Sequence, residues 1–267
     1  FQMLIVNHSD VADLPRGMEN VQSIIRPTID FCTSVTVVVH SHAMNGDERV
    51  RLRKEFGERP HFKLLFVLGR GSEVNEDDVI VEKESVEHGD ILVVDVVEHY
   101  HNMTYKAQSW IRFLHEACGA IDWIVKMDDD VEVNIDGILE LLHRYRHYSK
   151  VAIGRLYLNN QVVRNPDSKW FLSPEDYSSS SLGAYLQGMS YILSGDLLRS
   201  LYDNIGRVQY LWMDDWYVTH GLLNGTLSSL IDISPHIGSI NTEAELEGIR
   251  PSKDRLIFLH LRPRERW

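Results

Sequence analysis

The chain has 267 residues, 43% of them hydrophobic, with a formal net charge of −12. That length holds one large α/β domain or two small ones. The acidic balance argues against a nucleic-acid partner, which calls for a basic face, and no run approaches the length of a membrane-spanning helix.

Residues 1–34 are mixed, with Pro15 and Pro27 interrupting any long element. Val35 to His40 is β-branched and apolar, and reads as a central strand. Asp47 to Phe56 reads as a helix carrying Arg49, Arg51 and Arg53, either as a solvated basic face or as a phosphate contact. Phe62 to Leu68 is a second strand, Asn75 to Glu87 a weak helix, and Ile91 to Val94 a third strand. Ala107, Trp110, Ile111, Leu114 and Cys118 then form one helical stripe. Trp123 to Val125 is the fourth strand, so alternating elements imply a parallel, doubly wound sheet. No G-x-G-x-x-G follows the first strand, which leaves a dinucleotide loop without its glycines.

Three carboxylates, Asp128, Asp129 and Asp130, follow the fourth strand and precede the helical spacing of Ile138, Leu141, Leu142 and Tyr145. Ligands of open α/β sheets sit beyond the carboxyl ends of strands. Alternation in extended chain puts Asp128 and Asp130 on one side and Asp129 on the other. Two such carboxylates suit a hard divalent cation completed by waters and a substrate phosphate; the competing reading is an acidic, solvated loop.

The second half is less regular. Val151 to Leu158 reads as a strand, Asn159 to Ser168 as a loop, Lys169-Trp170-Phe171 as a short edge strand, and Ser178 to Ser181 as a mobile serine run. Tyr185 to Ser194 is a strand with Gly188 inside it, which marks close approach of a ligand or backbone. Gly195 to Tyr202 and Met213 to Leu223 read as helices, the latter opened by Asp214 and Asp215. Leu230 to Ile233 and Leu256 to Leu261 are late strands, and His260 sits in the second. Cys32 and Cys118 are open to pairing or to life as thiols, and sequons stand at Asn7, Asn102 and Asn224.

Several segments match one family in order. They are Val37 to Phe56, Phe66-Val67-Leu68-Gly69, DILVVDVVEHYHNMTYK from Asp90 to Lys106, KMDDDVEVN from Lys126 to Asn134, KWFLSPEDY, YLQGMSYILS, MDDWYVTHGL and IFLHLRP. The chain resembles the β-1,3-galactosyltransferases and β-1,3-N-acetylglucosaminyltransferases of glycosyltransferase family 31, with the Fringe enzymes as more distant relatives. The resemblance covers roughly residues 35 to 262. Departures gather in the acceptor half: a serine run and Leu182-Gly183 replace P-P-Y, and Trp216 and Thr219-His220 interrupt E-D-V-Y-x-G. Phe56 also replaces a tryptophan.

The resemblance implies a GT-A fold, a mixed central sheet between helices. It implies residues 1–34 as a stem-proximal segment and 35–267 as one catalytic domain. The nucleotide-sugar half would end at about 134 and the acceptor half would follow. It implies inverting transfer of a hexose, galactose first, from a UDP-sugar to a glycan of a glycoprotein or glycolipid, forming a β-1,3 linkage. An N-acetylglucosaminyltransferase and an inactive glycan- or nucleotide-sugar-binding relative remain alternatives. An unrelated metal-dependent phosphate-ester hydrolase is a further one, which would leave the other matched segments unexplained. Asp215 takes the base position, and Asp130, Asp128 and His260 hold Mn2+. Asp129, Asp95, Tyr100, Lys106, Arg49 and Arg53 serve the donor, and Trp170, Tyr185, Gly188 and Asp214 the acceptor. The expected location is the Golgi lumen, as a type II protein whose anchor precedes Phe1.

Overall fold

The structure, a computed structural model, describes residues 3–5, 21–32, 34–71, 76–240 and 255–261. The strands are β1 (Met3–Ile5), β2 (Ser23–Ile25), β3 (Val35–His40), β4 (Phe62–Arg70), β5 (Ile91–Val97), β6 (Trp123–Asp128), β7 (Val131–Val133), β8 (Val151–Tyr157), β9 (Tyr185–Ser194), β10 (Ser229–Asp232), β11 (Ile237–Ile240) and β12 (Phe258–Leu261). The helices are α1 (Gly46–Gly57), α2 (Glu76–His88), α3 (Met103–Ala117), α4 (Ile135–Tyr145), α5 (Leu198–Asn204) and α6 (Asp214–Trp216), the last running on as a π-helical turn over Tyr217–Gly221.

Among the described residues, nine strands form one sheet in the order β1-β10-β8-β9-β6-β3-β4-β5-β2, and β11, β12 and β7 form a second. Strands β6, β3, β4 and β5 run parallel, as their spacing by helices predicts. The sheet as a whole is mixed, because β9 inserts antiparallel between β6 and β8, and β2 and β1 close the edges antiparallel. A purely parallel sheet is therefore the wrong expectation, and the mixed sheet is the right one. Strands β1 and β2, which precede residue 34, both join the main sheet.

Side-chain alternation along the buried strands builds a core on each face. Val35, Val37, Val39, Trp123, Val125 and Met127 pack with Leu52 of α1 and Ile138, Leu141 and Leu142 of α4. Val38, Leu65, Val67 and Ile124 pack on the other face with Trp110, Ile111 and Leu114 of α3, Leu201 of α5 and Trp216 of α6. Even-numbered positions of β6 thus face α3 and α6. Extending that parity past Ile124 aims Lys126 and Asp128 at the same side, where α6 begins.

Three local expectations change. Lys169 and Trp170 lie in a turn and Phe171 outside any strand. The serine run is tied down, with Arg164 Nη2 donating to Tyr177 O and Ser179 O at 2.6 and 2.8 Å. The sequon at Asn102 is built into the fold: its Nδ2 donates to Val97 O, and Thr104 is buried and bonded to Leu211 O. Asn7 lies outside the described residues. Both cysteines are free, Cys32 exposed and Cys118 buried.

The arginines of α1 are neither a solvated face nor free for a nucleotide. Arg49 is fully buried and forms a two-pronged pair with Glu84 at 2.9 and 2.6 Å. Its remaining donors reach Ser41 Oγ, His42 O and Ala43 O. Arg53 is bidentate to Asp90 and bonds Glu84. Every prong is used in clamping α1, α2 and the loop after β3. Removing one partner of a buried pair costs about 3–5 kcal/mol where no substitute partner exists. Glu84 keeps Arg53, so Arg49→Met should lower unfolding stability by about 3 kcal/mol, the low end of that range. Chemical denaturation checks this, and an unchanged midpoint would restore the phosphate-contact role.

Candidate active site

A cleft of about 1020 Å³ opens beyond the carboxyl ends of β3 and β6. Its lining includes His40, Asp128, Asp129, Asp130 and His260 on one side and Gly188, Asp214 and Asp215 on the other. Register explains the first group. His40 pairs with Asp128 across β3 and β6, and His260 pairs with Val131 across β12 and β7. The second group arrives because β9 runs back along β6 and meets the start of α6.

In the acidic turn Asp129 is buried and accepts from Asn45 Nδ2 at 2.9 Å. Burial raises its pKa above the ordinary carboxylate value. Asp130 Oδ2 lies 3.0 Å from His260 Nε2, with the carboxylate about half exposed at 48%. Burial, with the charges of Asp130 and Asp214 added, pushes Asp128 up to about 6 against the pull of Lys126. The turn's backbone is held by Arg51, whose Nη2 donates to Asp129 O and Val131 O at 2.8 and 3.2 Å. Arg51 reads as one of a basic face in the sequence; besides Glu48 and Glu55 on its own helix, it reaches a carbonyl 78 residues away.

Asp215 is aimed by its backbone neighbours. Oδ2 accepts from Gly188 N at 3.1 Å and Oδ1 from Trp216 N at 2.8 Å. A Cβ on residue 188 would stand 3.0 Å from Asp215 Cβ, so glycine is what lets β9 come this close. Thr219 bonds both Asp215 O and Leu186 N, and Trp216 Nε1 bonds Leu182 O. The residues that interrupt the family's E-D-V-Y-x-G pattern thus lash the π-helical turn to β9. Burial and the neighbouring charge of Asp214 push Asp215 up to about 7.

Between the two groups stands Lys126, 1% exposed. Its Nζ lies 2.9 Å from Asp128 Oδ1, 3.5 Å from Asp214 Oδ2 and 2.5 Å from Gly188 O. Burial alone would neutralise the amine, but Asp128 and Asp214 outweigh it and hold the pKa above the ordinary lysine value. His40 Nδ1 is 3.6 Å from Asp214 Oδ2, yet this is a contact and not an ion pair. Burial first, then the charges of Lys126 and Lys106, keeps the imidazole well below its usual pKa and so neutral. Both His40 nitrogens, Asp214 Oδ2 and Gln187 Oε1 are buried without a hydrogen-bond partner. Buried polar atoms are rarely left so, and unmatched ones along a cleft are what a bound ligand satisfies.

The other expected donor residues are spread out. Lys106 is buried, bonding Ser41 O at 2.8 Å and Glu98 at 2.6 Å, so it supports the loop after β3 rather than facing the cleft. Asp95 is exposed, paired with Arg70 at 2.7 Å, and is not among the residues lining the cleft. Tyr100 does line the cleft, but edge-on to Trp170 at 5.6 Å, on the side expected for the acceptor. Tyr185 lines the cleft too, its hydroxyl accepting from Asn160 Nδ2 at 3.2 Å. Lys126, His40, Glu98 and Gln187 are given no role from the sequence. The lysine two residues before Asp128 was the one visible signal, since even parity already sends it to the same side.

A family model described as galactosyltransferase matches residues 47–233. The chain belongs to the galactosyltransferase family. It is 31% identical over 189 residues to "Beta-1,3-galactosyltransferase 5" of Pan paniscus, covering 69% of this chain and 62% of that protein. It is 30% identical over 186 residues to "Beta-1,3-galactosyltransferase 1" of Mus musculus, covering 64% and 54%. It is 28% identical over 211 residues to "UDP-GalNAc:beta-1,3-N-acetylgalactosaminyltransferase 1" of Homo sapiens, covering 76% and 62%. The chain thus spans 54% to 62% of the length of these relatives.

Lys126 joins both carboxylate groups of this site. Lys126→Met should destabilise the protein by about 2–3 kcal/mol, less than a fully buried pair would cost because Asp128 is partly exposed. Removing that cation should also raise the pKa of Asp215, which Lys126 lowers. Thermal melts and a carboxyl-resolved NMR titration check both.

Proposed function

We propose that the protein is an inverting, metal-dependent glycosyltransferase. It moves a hexose, galactose, from a UDP-sugar to a hydroxyl of a glycan acceptor and forms a β-1,3 bond. One observation carries the reading above the family assignment: a single carboxylate, Asp215, is oriented by two backbone N–H groups into a cleft whose opposite wall carries Asp128, Asp130 and His260.

The donor set suits a hard divalent cation. Among the described residues no three His, Cys, Asp or Glu side chains enclose a metal by themselves. Two carboxylates and an imidazole at the mouth of a turn instead leave room for phosphate oxygens and water. Asp130, supported by Asp128 and His260, would hold Mn2+, whose charge neutralises the diphosphate as it leaves. Asp215, ionised, accepts the proton of the acceptor hydroxyl as its oxygen bonds the anomeric carbon. The bond from that carbon to the diphosphate oxygen breaks, and UDP departs with the electron pair. Lys126 holds Asp128 and Asp214 while this happens, and Asp214 adds the negative charge that keeps Asp215 basic.

The β-1,3-N-acetylgalactosaminyltransferase among the relatives favours an N-acetylhexosamine donor as the second reading. We place the enzyme in the Golgi lumen, anchored through a segment outside this chain. The topology implied by the family resemblance supports that; among the described residues no helix is long and apolar enough to cross a membrane.

Asp130→Ala should abolish metal-dependent UDP binding and transfer, and chelator should do the same to the wild type; full transfer in chelator overturns the metal's role. Asp215→Asn should cut transfer by roughly 10²–10⁴ while metal-dependent UDP binding survives. Transfer should rise with pH through neutrality as Asp215, pushed up to about 7, ionises. Asp214→Asn removes the charge that raises it, so the acid limb should move to lower pH. A limb that stays in place reassigns the base.

A further inference from the structure

We propose that Cys32 and Cys118 close into a disulfide that staples the loop before β3 to the carboxyl end of α3. The bridge is independent of the transferase reading and needs only a disulfide oxidant around the protein. Register brings the two residues together. Val35 pairs with Trp123 at the start of β3 and β6, and Trp123 N donates to Ser34 O at 2.9 Å. The segments entering these two strands therefore run side by side. Three contacts then hold the first segment against the last turns of α3. Arg26 Nη2 lies 3.0 Å from Glu116 Oε2. Phe31 meets Phe113 edge-on at 5.7 Å. Cys32 Sγ donates to Ala117 O at 3.2 Å, the carbonyl of the residue before Cys118.

The surroundings suit a structural bridge rather than a reactive thiol. Cys118 is buried. Burial first, then the hydrogen bond and charge of Cys32, then the charge of Asp30, pushes its thiol up to about 12. The two sulfurs are thus within reach of each other. Redox-active cysteines sit in the opposite setting, beside cations that lower the pKa. The charge beside this pair is the Asp30 carboxylate, whose Oδ1 accepts from Cys32 N at 2.8 Å. Cys32 is exposed and open to an oxidant of the glutathione disulfide class. Its thiolate attacks one glutathione sulfur, forms a mixed disulfide and releases one glutathione. The Cys118 thiolate then attacks the Cys32 sulfur and expels the second glutathione. Two cysteines are oxidised, one glutathione disulfide is reduced, and the two protons the cysteines lose end on the two glutathiones. Reversal is hindered. A reductant that reaches the exposed Cys32 sulfur must expel the Cys118 thiolate, a poor leaving group because its thiol is so weakly acidic. The cysteines stand 86 residues apart, so the bridge restricts the unfolded chain strongly. It also joins the entries of β3 and β6, whose far ends carry His40 and Asp128.

The test uses the full chain, purified reduced and then equilibrated with glutathione disulfide. Thiol titration of the unfolded product, mass spectrometry of its peptides and thermal melts are the readouts. The oxidised protein should show no titratable thiol and one linked peptide pair, Cys32 to Cys118. It should melt at least about 5 °C above the reduced form, since a bridge over a long loop stabilises a domain of this size by that much or more. Cys32→Ser and Cys118→Ala should each abolish the oxidation-dependent shift. Cys32 is exposed, so its serine variant folds even where loss of the buried sulfur of Cys118 does not allow it. Two thiols still titrating after oxidation overturn the bridge. So does a stable glutathione adduct on Cys32 with Cys118 left reduced, or a dimer linked through Cys32. A linked pair that leaves the melt unchanged overturns its role as a staple.

Discussion

The site depends on one buried ammonium. Lys126 is held in the core end of β6 with its charge intact because two carboxylates and a carbonyl surround it. Without that cation, Asp128, Asp214 and Asp215 would face each other across a partly desolvated gap. Like charges so placed drive protonation and disorder. With it, one strand end and one helix start are pinned together, although they are 86 to 89 residues apart in the chain. The price is a polar seam through the sheet, tolerable because the ammonium is surrounded by Asp128, Asp214 and Gly188 O.

Around this seam the remaining polar residues divide into supports and working groups. Arg49 and Arg53 clamp α1 to α2 and to the loop after β3. Arg51 holds the carbonyls of the acidic turn, and the Lys106–Glu98 pair holds Ser41 O and Gly69 N from the other side. These groups are saturated by protein atoms. The groups that line the cleft are Asp128, Asp130, His40 and His260 on one side, and Gln187, Asp214 and Asp215 across from them. The first set, the supports, builds the cleft, and the second, the working groups, faces its contents. That division, more than any single distance, is why chemistry falls to the second set.

Much of this was legible from the chain. Apolar runs, their spacing by helices and the position of the three aspartates located β3 to β6 and the cleft, because burial on both faces forces continuous hydrophobic strands. What the chain concealed were long-range partners. An arginine on a helix reads the same whether it meets water, a phosphate or a glutamate 35 residues on, as Arg49 does. The antiparallel insertion of β9 was equally hidden, since strand direction is set by connections and not by composition. Tyr100, expected at the donor, packs beside Trp170 and Trp212.

The central claim is that one carboxylate deprotonates the acceptor while a single displacement occurs at the anomeric carbon. The stereochemistry of the product reports on that most directly. Incubating the protein with UDP-α-galactose, Mn2+ and methyl β-D-galactopyranoside and reading the anomeric proton coupling of the new linkage by NMR decides it. The account predicts a β-linked disaccharide, the inverted product of direct attack assisted by Asp215. An α-linked product would mean retention, require a different mechanism, and contradict the role given to this site.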